Sequence, residues 1–147
     1  MQIVKVEKGS CLWEALAEYA ERSPWAAGEH LADMMRRECF SDWESVFAAL
    51  GDDRIVGYCT FLKEDYYPEN RYSPWISTIF VDPAYRGRRV SQKMIETVMA
   101  YARTQGFTRV YIPSDMVGFY ERYGFERIDE LINYGGDMDQ IFARDLQ

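Results

Sequence analysis

Three arginines crowd one glycine in the stretch VDPAYRGRRVSQKM, residues 81–94: Arg86, Arg88 and Arg89 surround Gly87 just ahead of a run with helical spacing. A helix begins with backbone N–H groups that have no internal partners, and the positive end of its dipole lies there. Guanidinium groups added at that point make a receptor for phosphate or a similar anion, because arginine offers a rigid fork of donors that matches phosphate oxygens. Gly87 lets the chain approach such an anion closely. The residues alone also admit a second reading, a solvated basic helix start neutralised by nearby acids.

Other chemistries are thinly supplied. His30 is the only histidine, which removes a His-pair zinc motif and leaves any Ser/His or Cys/His nucleophile dependent on one residue. It lies in GEHLADMMRRE, a stretch with helical spacing, where a surface or half-buried structural role is expected. Cys11, Cys39 and Cys59 are far apart and never form C-x-x-C, so they read as reduced packing residues, with neither a disulfide framework nor a metal site. The formal net charge of -7 argues against nucleic acid as a partner, since affinity there comes largely from cancelling phosphate charge. No apolar stretch approaches the length of a membrane span. The opening MQIVKVEKGS reads as a strand and not as a signal peptide, so a cytoplasmic location is expected. A length of 147 residues suits one domain, residues 1–147, able to bury its own core.

The elements that must position the arginine loop follow from spacing and turn chemistry. A first strand covers about residues 2–6. Behind a candidate Ser10 cap, Leu12, Leu16, Tyr19 and Ala20 share a helical face, and after Pro24 the spacing of Leu31, Met34 and Met35 predicts a second helix. The stretch SDWE at 41–44 resembles a capping box, yet GDDR is strong turn chemistry and RIVGYCTFL is rich in strand formers, which predicts a hairpin over 43–63. KEDYYPENRYSP, 63–74, reads as a loop, and WISTIFV as a central strand ending at the DP dipeptide. Helical spacing returns at Val90, Met94, Ile95, Val98 and Ala102, with Gly106 as a stop. RVYI is a strand, SDMVGFYERY a short helix closed by Gly124, and FERIDE and QIFARDL two further strands. The order is βααβββαβαββ, a mixed α/β fold with a central sheet covered by helices.

With that order, two motifs resemble the GCN5-related N-acetyltransferase (GNAT) superfamily, most strongly from Trp75 to Glu130. One is the strand and loop ending in Arg86, Gly87, Arg88, Arg89, Val90 and Ser91, similar to the family's Arg/Gln-x-x-Gly-x-Gly/Ala pattern, whose backbone amides hold the pyrophosphate of acetyl-coenzyme A. Arg89 stands where the first motif glycine is usual and Ser91 where Gly or Ala is usual. The other is GFYERYGF, 118–125, similar to the family's short helix and following strand.

The resemblance implies an acetyl-coenzyme A-dependent N-acetyltransferase that uses no metal and forms no covalent enzyme intermediate. It assigns the pantetheine arm and thioester to backbone groups of Ile79, Phe80 and Val81, which a disrupted pairing at that strand's end would leave free. It makes Tyr120 the acid that protonates the departing thiolate, a role that suits a phenol with a pKa near ~10. Read only as a residue, Tyr120 has the alternative of a helix tyrosine packed on the sheet beside Phe119 and Tyr123. Relatives often carry an asparagine seven positions earlier; here that position is Pro113, with Ser114 and Asp115 next to it. No general base stands out among Glu44, Glu64, Asp65 and Asp115. The acceptor is a small-molecule or peptide amine, and its pocket would include the 63–74 loop, which reads equally as a dimer surface or a solvated loop. Homodimers are common in the superfamily. A coenzyme-binding sensor or interaction module without turnover is the alternative function.

Overall fold

The computed structural model describes residues 1–116 and 118–146. Its elements run β1 (Gln2–Lys5), α1 (Cys11–Arg22), α2 (Ala26–Arg36), β2 (Ser45–Gly51), β3 (Arg54–Leu62), β4 (Trp75–Val81), α3 (Val90–Thr104), β5 (Arg109–Ser114), β6 (Glu126–Ile132) and β7 (Met138–Asp145), with 3-10 turns at Pro83–Tyr85 and Tyr120–Tyr123. The strands form a seven-stranded mixed sheet in the order β1-β2-β3-β4-β5-β7-β6, which is the mixed α/β class expected. By internal contacts the chain divides into two units, residues 1–60 with 78–97 and residues 61–77 with 98–147.

In the first unit, β1 pairs antiparallel with β2, from Gln2 opposite Leu50 to Lys5 opposite Phe47. The hairpin from β2 to β3 turns at Asp52 and Asp53, whose φ angles of 51° and 59° supply the left-handed pair that a two-residue hairpin turn requires. Helix α1 is opened by Ser10, whose hydroxyl accepts from Trp13 N at 3.2 Å. It buries Trp13, Leu16, Ala17 and Ala20, while Leu12 and Tyr19 are half-buried. A fully buried side chain the size of Leu16 contributes about 2 kcal/mol. Helix α2 buries Gly28, Leu31, Ala32 and Met35. The capping-box residues of SDWE close a turn instead of a helix: Glu44 accepts from both the Ser41 backbone and its hydroxyl, each at 3.2 Å, and β2 starts at the next residue. The box chemistry is local, and the apolar run after it is claimed by the sheet.

In the second unit, β7 pairs antiparallel with both β5 and β6, with a register shift between Arg127 and Asp129. Tyr67, Trp75, Leu131 and Ile141 form a buried cluster against which Tyr72, Tyr111 and Ile128 pack. The parallel pairing of β4 with β5 is a single residue pair, Trp75 opposite Tyr111. The short helix expected over 114–123 is corrected to a 3-10 turn at Tyr120–Tyr123; Val117, which fell within it, lies outside the described residues. Gly118 and Gly124 carry φ of +81° and +84°, and between such left-handed residues the chain has little more than one helical turn, the length at which 3-10 geometry is common.

Candidate anion-binding site

The loop between β4 and α3 lies wholly within the first unit and is held at several points. Thr78 in β4 has φ +51°, a left-handed value that a β-branched residue adopts only under constraint from its surroundings. Past that kink the strand still faces β3: a Cβ on Gly57 would lie 2.7 Å from the Phe80 carbonyl oxygen, and Asp82 N donates to Val56 O at 2.8 Å. By the alternation of a strand, Ile79 and Val81 turn their polar groups to the opposite edge. The Val81 carbonyl is engaged there by Arg86 Nε at 3.1 Å.

Asp82 then organises the 3-10 turn. Its carboxylate accepts from Ala84 N at 2.9 Å and from the Tyr19 hydroxyl at 3.3 Å. Burial, reinforced by the negative charge of Asp82, pushes the Tyr19 phenol well above its ordinary range, so it stays a donor. Gly87 follows with φ +81° and open space where a Cβ would stand, and Arg89 takes φ +60°. The first α3 hydrogen bond, from Lys93 N to Arg89 O at 3.1 Å, leaves the N–H groups just inside the helix directed out of its end.

Arg86, Gly87, Arg88 and Arg89 are all exposed. Among the described residues none of the three guanidinium groups forms an ion pair, so local acids do not neutralise this helix start. Arg86 lies over the Phe80 ring at 6.0 Å and Arg88 over the Tyr85 ring at 4.9 Å. Val90 is buried and offers the loop only its backbone, whereas Ser91 is half-buried. The Phe80 side chain is also committed to packing, stacked on Tyr58 at 5.2 Å with Tyr19 and Trp25 near its ring. Trp25 Nε1 donates to the Tyr58 hydroxyl at 2.6 Å.

The second unit holds the other sequence candidates except Glu44. Tyr120 is buried, 5% exposed, with its ring against Phe119, Tyr123, Phe125 and Phe142 at 4.9–6.4 Å. Its carbonyl accepts from Phe125 N at 3.3 Å, and Ser114 Oγ accepts from Met116 N at 2.9 Å. In the 63–74 loop Asn70 accepts from Asp65 N and donates to the carbonyls of Asp65 and Tyr67. The aromatic side chains there are largely committed: Tyr67 donates to Asp139 at 2.8 Å, and Tyr72 stacks on Tyr111 at 4.9 Å. Of the acids weighed as bases, Glu44 is held by Ser41 and Asp65 accepts from Tyr66 N at 2.7 Å. Glu64 and Asp115 are exposed.

His30, Cys11 and Cys39 are exposed and Cys59 is buried, so only the last of the three thiols is a core residue. Among the described residues no cluster of His, Cys, Asp and Glu is arranged to hold a metal, and no helix is long and apolar enough to cross a membrane. Sequence reasoning missed Tyr85 and its partner Asp52. The two are 33 positions apart, with no local signal joining them.

A family model described as the Acetyltransferase (GNAT) family matches residues 10–125. An uncharacterised protein of Mycobacterium leprae is 29% identical over 109 residues, 72% of this chain; this chain spans only 28% of that protein's length. A glucosamine 6-phosphate N-acetyltransferase of Trypanosoma brucei brucei is 29% identical over 117 residues, 76% of this chain and 78% of that one. Among solved structures, an aminoglycoside 6'-N-acetyltransferase complexed with coenzyme A superposes with a TM-score of 0.76 at 14% identity, covering 100% of this chain and 98% of that one; at that identity the likeness is one of fold.

Proposed function

The chain belongs to the GNAT acetyltransferase family, and from that premise we propose that it transfers an acetyl group from acetyl-coenzyme A directly to a primary amine. The observation that carries this reading is the set of three exposed guanidinium groups, none in an ion pair among the described residues, around a left-handed glycine at a helix start. In this reading Arg86, Arg88 and Arg89 and the backbone of Gly87, Val90 and Ser91 hold the coenzyme's pyrophosphate. The outward edge of β4 at Ile79 to Val81 takes the pantetheine arm: the backbone groups of Ile79 and Val81 are directed away from β3, and the Val81 carbonyl is already held by Arg86. Those groups polarise the thioester carbonyl as it gains negative charge.

The neutral amine nitrogen forms the new C–N bond and, cationic once bonded, loses a proton to water; the C–S bond breaks, and Tyr120 gives its phenolic proton to the departing thiolate, leaving an amide and free coenzyme A. The tyrosine recovers its proton from solvent. No acyl-enzyme is formed and no metal takes part.

Free thiol released from acetyl-coenzyme A, measured across a panel of amines, tests the reading. The relatives above carry glucosamine 6-phosphate and aminoglycosides in their names, so the panel starts with amino sugars. Turnover on at least one amine supports transfer, whereas tight coenzyme binding without thiol release on any of them favours the module without turnover. For Tyr120→Phe we expect kcat to fall by about 100-fold or more; an unchanged rate removes Tyr120 from the chemistry.

A further inference from the structure

We infer that Tyr85 and Asp52 act as a positioning pair that aims Arg88 at the coenzyme's phosphates, so that the β2–β3 turn controls how firmly the loop grips its anion. This rests on the reading of the loop given above. Tyr85 closes the 3-10 turn one residue before Arg86, and its ring is buried, 6% exposed. Its hydroxyl nevertheless reaches the hairpin turn and donates to the Asp52 carboxylate. Arg54, two residues on, brings its guanidinium to 5.3 Å from the centre of the same ring. The phenol is therefore held at its tip from the hairpin. On its ring rests the guanidinium of Arg88, at 4.9 Å.

That arrangement suits anion capture for a geometric reason. A guanidinium that stacks on an aromatic ring uses its face and keeps its in-plane N–H donors for oxygens. A carboxylate partner would occupy those donors instead. Stacking also removes side-chain freedom before the ligand arrives, and preorganisation of that kind strengthens binding without adding a contact. Arg86 is oriented differently, by the Val81 carbonyl. The contribution of Tyr85 should therefore pass through Arg88 and not through the loop as a whole.

The test is calorimetric titration of coenzyme A into the wild type, Tyr85→Phe, Asp52→Asn, Arg88→Ala and the double variant Tyr85→Phe/Arg88→Ala, each checked for an intact thermal transition. Loss of Arg88 should weaken binding about tenfold, as for a charge-assisted phosphate contact. Tyr85→Phe keeps the ring but frees it from Asp52, and should weaken binding about threefold. Asp52→Asn, on the exposed turn, should do the same and serves if Tyr85→Phe does not fold. The double variant should match Arg88→Ala alone, because a support has no effect once the group it aims is gone. In turnover these changes should raise KM for acetyl-coenzyme A and leave kcat unaltered. Multiplying effects in the double variant, or undiminished affinity in both Tyr85→Phe and Asp52→Asn, overturn the positioning pair while leaving the loop's role intact. Absence of coenzyme binding by the wild type removes the functional reading and the pair together.

Discussion

The Tyr72 hydroxyl donates to Asp129 at 2.6 Å, fastening the 63–74 loop to strand β6. Arg71 reaches the same carboxylate oxygen at 3.3 Å. The Tyr72 hydrogen bond, the backbone donor at Glu130 and the Arg71 charge together hold the Asp129 carboxyl below its usual range. A carboxyl whose pKa is lower folded than unfolded stabilises the fold above about pH 4 and loses that contribution as pH falls through its folded value. Asp129→Asn should therefore lower Tm at pH 6, and the gap from the wild type should close on acidification. Melts from pH 6 to pH 2.5 check this; a gap that stays constant would show that the charge contributes nothing.

Thiol chemistry offers an independent check on the core. Burial pushes the Cys59 thiol up to about 12, whereas Cys11 and Cys39 are exposed. Since the thiolate is the reactive form, a disulfide reagent at pH 8 should modify two thiols quickly in the native protein and the third only on unfolding. Three fast equivalents would contradict the packing around β3.

Gly28 of α2 lies directly against the end of α1 at Ala20. A Cβ there would run into the Ala20 carbonyl oxygen and stand 2.9 Å from the Tyr58 hydroxyl. In an open helix Gly→Ala gains about 1 kcal/mol of propensity, but overpacking against rigid backbone costs about 1–3 kcal/mol. The clash wins, and Gly28→Ala should lower Tm by several degrees in differential scanning calorimetry.

Arg89 sits at φ +60°, and glycine is free of the roughly 1 kcal/mol that a side chain pays in that conformation. Arg89→Gly should leave Tm within about 2 °C, because relief of strain offsets the extra freedom of glycine in the unfolded chain. Coenzyme A should bind several-fold more weakly through the lost guanidinium. Arg88→Gly, where φ is not positive, has no strain to release and should lower Tm by about 2–4 °C.

Much of this architecture was readable from local signals. Ser10 capped its helix, the Asp52–Asp53 turn closed its hairpin, and the run of apolar residues from Trp75 to Val81 formed a central strand. These features are set by neighbours within a few positions, which is the range over which periodicity and turn chemistry speak. The arginine loop was legible for the same reason. The positive φ of Thr78 was not, because a β-branched residue predicts ordinary strand geometry and only its tertiary surroundings impose the kink. The links from Tyr19 to Asp82 and from Tyr85 to Asp52 join residues 63 and 33 positions apart, and nothing in either local sequence announces the other. At SDWE two local signals competed: the capping chemistry is present between Ser41 and Glu44, but the strand formers and turn that follow favoured the hairpin, and β2 starts at Ser45.

The interleaving of the two units sets an order for biosynthesis. The polypeptide changes unit after residues 60, 77 and 97, so a nascent chain holding only residues 1–77 contains α1, α2 and the β2–β3 hairpin but neither the start of α3 nor the loop that Tyr85 anchors. Completion of that unit waits for residues 78–97 to leave the ribosome, and completion of the other waits for the tail. Each unit is made of two separate stretches of chain, so no single cleavage yields either one as a continuous fragment.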